Sequence, residues 1–127
     1  MKKGKMAKKG KPTEPAPTAP VTNVYINDVD LNIQASEPQC GLLVIEWDDY
    51  PKAERYAVHA LESLTTCMPQ NTTESVAYYW LGGGCTFFPH NTYNVVVTAY
   101  YREGDTNYYI TSKPQEITTG KGKWECQ

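Results

Sequence analysis

Phenylalanine is scarce in this 127-residue chain, two residues against ten tyrosines, and strong helix formers are not prominent. No stretch approaches the ~20 consecutive apolar residues of a membrane helix. The opening MKKGKMAKKGKPTEPAPTAP has no apolar stretch of the ~7–15 residues that a secretory signal requires. Neither a membrane span nor a classical signal peptide is expected. There is no Cys-x-x-Cys, and His59 and His90 stand alone, which makes a zinc site a poor fit. Gly82-Gly83-Gly84 lacks the lysine and the following helix of a phosphate loop. No nucleophile-elbow motif marks a serine. Asp28-x-Asp30-x-Asn32 starts as a calcium loop does, but Ile33 replaces the glycine and Gln39 the closing glutamate. Asp48, Asp49 and Glu54 read as ordinary surface acids. No enzyme activity, metal or cofactor is expected.

What is present favours strands. Val, Ile, Thr and Tyr fill most periodic stretches, and one domain fits the length. Charge is uneven: residues 1–20 carry Lys2, Lys3, Lys5, Lys8, Lys9 and Lys11 against Glu14, leaving +5 there and −7 over the rest. This basic arm suits nucleic acid, an anionic surface or the acidic body of a neighbouring copy, and it also suits a solvated tail. PTEPAPTAP, residues 12–20, is a proline-spaced linker of polyproline II type. It contains Pro12-x-x-Pro15 and Pro17-x-x-Pro20, and reads as a spacer more than as a ligand motif. Residues 21–28 form an extended lead-in, with an extra edge strand as the alternative. A domain over 29–120 and a tail over 121–127 follow.

Within the domain, Val29, Leu31, Ile33 and Ala35 alternate, as do Leu43, Ile45 and Trp47, then Tyr56, Val58 and Ala60. SVAYYWL, a short CTFF, TYNVVVTAYY and NYYITSKPQEITT complete seven strand-like runs, which read as an all-β sandwich. His59 alternates outward from Val58 and reads as an exposed strand residue. Asn71-Thr72-Thr73 is a glycosylation sequon.

Taken together, residues from about Val29 to Thr119 resemble fibronectin type III domains. Trp47 stands at the end of the second strand, with Pro51 in the next loop and Tyr56-x-Val58 beyond it. FFPHNTYNVVVTA resembles the family's leucine-x-proline-x-x-x-tyrosine corner, with Phe87, Pro89 and Tyr93 in the three places. Ser112, Pro114, Thr118 and Thr119 resemble the last strand. The resemblance implies a seven-stranded sandwich in which Trp47, Tyr56 and Tyr93 are core, and in which the Tyr93 hydroxyl binds backbone upstream. The four cysteines and an irregular middle depart from the family.

In such a topology Cys40 and Cys126 fall at the same pole, which makes a bridge between them plausible and would pin the C-terminal tail, with little else to hold it. Cys67 and Cys85 could pair as well, and free thiols remain an alternative. The tip of YYREGDTNYY would lie where the family displays an Arg-Gly-Asp loop, but Glu103 interrupts the tripeptide, and a hairpin turn at Gly104-Asp105 is favoured. The candidate interaction loop is Tyr101, Arg102, Glu103, Asp105 and Tyr108. Of Tyr100, Tyr101, Tyr108 and Tyr109, half should face outward. The expected function is a structural or interaction module, with protein partners in a larger assembly such as a virion or other extracellular-facing assembly, and possible self-association. A secreted adhesion or carbohydrate-associated module and nucleic-acid binding through the arm are the alternatives.

Overall fold

A computed structural model describes residues 20–62, 70–82 and 87–126, the side chain of Gln70 apart. The arm lysines Lys2, Lys3, Lys5, Lys8, Lys9 and Lys11, together with Cys67 and Cys85, lie outside the described residues. The described chain is all β, two sheets packed as a sandwich. Its strands are β1 (Thr22–Val29), β2 (Gln34–Gln39), β3 (Leu42–Glu46), β4 (Arg55–Ala60), β5 (Gln70–Thr72), β6 (Val76–Trp80), β7 (Thr92–Glu103), β8 (Thr106–Ser112) and β9 (Gln115–Thr118). The smaller sheet has the order β2-β3-β6. The larger runs β1-β8-β7-β4-β5, with β9 continuing beside β7 below β8.

Inward positions at a period of two build the core. Leu43 and Ile45 of β3, Ala77 and Tyr79 of β6, Tyr56 and Val58 of β4, and Tyr93, Val95, Val97 and Ala99 of β7 are all buried, with Trp47, Phe87, Ile110 and Ile117 between them. Trp47 meets Tyr56 edge to face at 5.4 Å, and Phe87 meets Tyr93 likewise at 5.0 Å. The Tyr93 hydroxyl accepts the Phe88 N–H at 2.9 Å, and the Tyr56 hydroxyl accepts the Tyr50 N–H at 2.9 Å. Two buried phenols thus keep hydrogen bonds that burial would otherwise remove.

Several elements differ from the sequence reading. Residues 22–29 take the alternative of an extra edge strand, β1, paired parallel to β8. The alternating run at residues 29–35 is not one strand. Its backbone breaks over residues 30–33, where the Asn32 N–H donates to Asp30 Oδ1 at 2.9 Å with Asn32 at φ 52°. Asparagine tolerates this left-handed conformation, and an aspartate two residues upstream can cap such a turn. Leu31 and Ile33 still reach the core, but the chain uses the break to cross between sheets. The final run is divided into β8 and β9 at Lys113-Pro114 because proline cannot donate to a ladder. There the buried Ser112 Oγ accepts the Val97 N–H at 2.8 Å. β5 lies in what reads as a polar loop, and Phe87 and Phe88 of the CTFF run are not in a strand. His59 is half-buried, not exposed, and burial lowers its pKa.

Candidate interaction face

The β7–β8 hairpin turns through Gly104, at φ 59°, and Asp105. Positive φ at the first central residue is what a two-residue hairpin of this hand requires, and glycine supplies it without a steric cost. The polar tip is engaged in the fold. Arg102 Nε donates to the Gly104 carbonyl at 2.9 Å. Glu103 pairs with Lys52 at 2.7 Å, a bond that raises the lysine's pKa. The Asp105 carbonyl accepts the Thr22 N–H at 3.1 Å.

The four hairpin tyrosines divide between the faces, as strand alternation dictates. Tyr101 and Tyr108 turn inward, stacked on each other at 4.6 Å, with Tyr50 6.3 Å from Tyr101. They pack against the core cluster. Loss of hydration raises the Tyr101 pKa, with the neighbouring Tyr50 adding to it. Tyr100 and Tyr109 turn outward, cross-strand neighbours in edge-to-face contact at 5.3 Å.

Cross-strand register extends this outward pair into a row. Tyr25 of β1 lies beside Tyr109, stacked at 4.9 Å, and Arg55 of β4 lies beside Tyr100, its guanidinium 4.1 Å from the ring centroid. The row Tyr25, Tyr109, Tyr100, Arg55 therefore crosses four strands. A polar row runs next to it, in which Asn107 Nδ2 donates to Asn23 Oδ1 at 3.3 Å and Arg102 pairs across from Asn107. Arg55 also reaches Asn71 of the sequon at 3.4 Å, placing that exposed amide at the margin of the face. Among the described residues neither Arg55 nor Arg102 forms a salt bridge. Between them is a shallow groove of about 160 Å³, lined by Glu54, Arg55, Tyr100, Tyr101, Arg102, Asn107, Tyr108 and Tyr109. Tyr25 is 66% exposed. Such a face can stack, form cation–π contacts and donate charge-assisted hydrogen bonds.

Sequence reasoning expected half of the four tyrosines to face outward but placed Tyr101 and Tyr108 in the interaction loop; those two pack on the core, Tyr100 and Tyr109 form the outward pair, and Tyr25 and Arg55 were missed. Nothing local marks them, because their places depend on pairing with strands distant in the chain.

The opposite pole is closed by the tail. Cys40, in the β2–β3 turn, is bridged to Cys126, with Cα atoms 5.9 Å apart. The bridge is not the tail's only hold, where the sequence reading expected little else. The Lys123 N–H donates to the Leu81 carbonyl at 3.0 Å, and the Gly120 N–H to Glu37 at 2.7 Å. His90 Nε2 meets Glu125 at 2.8 Å. A Cβ on Gly41 would sit 2.8 Å from the Lys123 Cα, so the tail backbone lies against a residue that must be glycine. Lys123 Nζ lies 5.0 Å from the centroid of the Trp80 ring.

No protein-family model matches the chain, and no curated protein matches it. Among solved structures, one titled "Myokine structure" is similar with a TM-score of 0.47 and 15% identity, covering 75% of this chain and 99% of that one.

Proposed function

We propose that this chain is a non-enzymatic interaction module of the fibronectin type III kind, an accessory component of a larger assembly such as a virion. In this reading the lysine-rich arm anchors it and the tyrosine face of the larger sheet makes contact. The observation that carries the reading is the row Tyr25, Tyr109, Tyr100, Arg55, held on paired strands, exposed at Tyr25 and Arg55 and half-buried at Tyr109 and Tyr100. Rigid tyrosines beside arginine give large contact area at a small entropic cost, which is why they dominate protein contact surfaces. The fibronectin type III reading is supported by the order β2-β3-β6 facing β5-β4-β7-β8, and by the Tyr93 hydroxyl bound to the Phe88 N–H. The added strand β1 and the disulfide are departures from that pattern.

The test is cosedimentation with the assembly from which the protein copurifies. Tyr25→Ala with Tyr109→Ala should lose most attachment while the thermal melt of the domain changes little, since Tyr25 is largely solvated. Full attachment of that double variant would remove the face from the reading. Deleting residues 1–11 should weaken attachment most at low salt, where exposed charges count most. The disulfide favours a second reading, a secreted or surface adhesion or carbohydrate-associated module. Such a module would bind its ligand as a monomer. Nucleic-acid binding through the arm would instead show a steep salt dependence.

A further inference from the structure

The proline-spaced stretch PTEPAPTAP, residues 12–20, ends at Pro20, which enters the domain beside the tyrosine face. Pro20 leads into β1, the Thr22 N–H is bonded to the hairpin tip, and Tyr25 follows three residues later on the same strand. The segment holds Pro12, Pro15, Pro17 and Pro20, and Glu14 is the single acid in residues 1–20. Proline-rich segments of this spacing are pre-extended and seat their rings between aromatic side chains with little entropy left to lose. The face provides three adjacent tyrosines and two guanidiniums without a carboxylate partner among the described residues. Its groove of about 160 Å³ is below the ~300–1,000 Å³ of a small-molecule pocket, which favours a shallow track for an extended peptide.

We propose that the tyrosine face is the docking site for the proline-rich segment of a second copy of this chain, with Glu14 of one copy set against Arg55 and Arg102 of the other. The proposal rests on the reading above only in taking this face as the contact surface. The lengths agree. Residues 12–20 span roughly 25 Å at ~3.1 Å per residue, and the row on four strands spaced ~4.8 Å apart is roughly 14 Å wide. A second copy fits better than the chain's own domain, because each residue before a proline is confined to extended backbone. That confinement opposes the tight reversal needed to dock on the face from which the segment departs. Reciprocal exchange gives two equivalent contacts per pair, the usual two-fold arrangement. The +5 of one arm region and the −7 of the other body add a favourable long-range attraction.

Sedimentation equilibrium of the full chain tests this. The expected result is a monomer–dimer equilibrium. Glu14→Arg should weaken it roughly tenfold or more, since like charges at a contact oppose association. That change lies outside the sandwich strands, so loss of the fold does not account for its effect. Arg55→Glu with Arg102→Glu should weaken the dimer similarly, and combining these with Glu14→Arg should recover much of the loss. A synthetic peptide of residues 10–20 in excess should dissociate the dimer and shift the amide resonances of Tyr100 and Tyr109. A full chain that is monomeric at all concentrations, or a dimer indifferent to Glu14→Arg, overturns the proposal. If the Tyr25→Ala, Tyr109→Ala variant still loses attachment to the larger assembly while the parent chain is monomeric, the interaction-module reading stands and this inference falls.

Discussion

Tyr79 carries its hydroxyl into the core, where it has no hydrogen-bond partner among the described residues. Its ring packs edge to face on Phe87 at 4.8 Å, and burial pushes its pKa well above the ordinary tyrosine range. A buried hydroxyl without a partner costs more than its removal. Tyr79→Phe should therefore leave stability unchanged or raise it by up to ~1 kcal/mol in urea unfolding. Tyr93 has the opposite setting, because its hydroxyl satisfies the Phe88 N–H. Tyr93→Phe should cost about 1–2 kcal/mol, since a backbone donor would lose its acceptor. Equal effects of the two substitutions would contradict this account. Both tyrosines occupy positions that alternation marks as inward. Nothing in the local sequence separates the satisfied hydroxyl from the unsatisfied one, because their partners are set by packing.

The C-terminal tail behaves as an element docked by several weak groups together with one covalent bond. Glu125 accepts the Gly122 N–H at 2.6 Å and pairs with His90, and these bonds, the backbone one first, lower its pKa. A carboxyl depressed in the folded state stabilises above its ordinary titration range, and that contribution is lost as pH falls through the folded value. Acidification below the ordinary carboxylate range should thus loosen residues 122–126 before the sandwich unfolds, read from the fluorescence of exposed Trp124. His90→Ala should move the transition to higher pH without abolishing it, since the Gly122 bond remains. An identical midpoint for parent and variant would exclude His90 from the tail's hold.

At this same scale the sequence was most readable where a strand lies between local neighbours. β3, β4 and β7 follow from alternation of apolar residues, and the β7–β8 turn follows from Gly104. β1 and β5 did not. β1 is mostly exposed, with Tyr25 and Ile26 both open to solvent, and it owes its place to parallel pairing with a strand 84 residues away. β5 is three polar residues at an edge. The candidate face shares that limit: the hairpin was legible but not which tyrosine pair faces out, which packing on the core decides, and Tyr25 and Arg55 join it only through long-range register.

At the scale of the whole molecule, the parallel pairing of β1 with β8 and the Cys40–Cys126 bridge together determine how the domain bears a mechanical load. Cys40–Cys126 closes a covalent ring with a sequence separation of 86. A pull between the arm and the C-terminus cannot open that ring, so only the segment before Cys40 can extend. From Pro20 to Gln39 that is roughly 20 residues, or ~70 Å at ~3.5 Å per residue. The first bonds to resist are those between β1 and β8, whose parallel alignment loads them together along the strand instead of one at a time. Single-molecule extension of the oxidised chain should show one early rupture followed by a short lengthening. Adding a reductant should lengthen the full extension by about 300 Å, the contour of the 86-residue separation. The same long extension without reductant would mean that the bridge is not closed. A tether built this way stretches by a fixed, small amount and then stops, giving up β1 and β2 while β3 to β9, with Tyr109, Tyr100 and Arg55 of the face, stay within the closed ring.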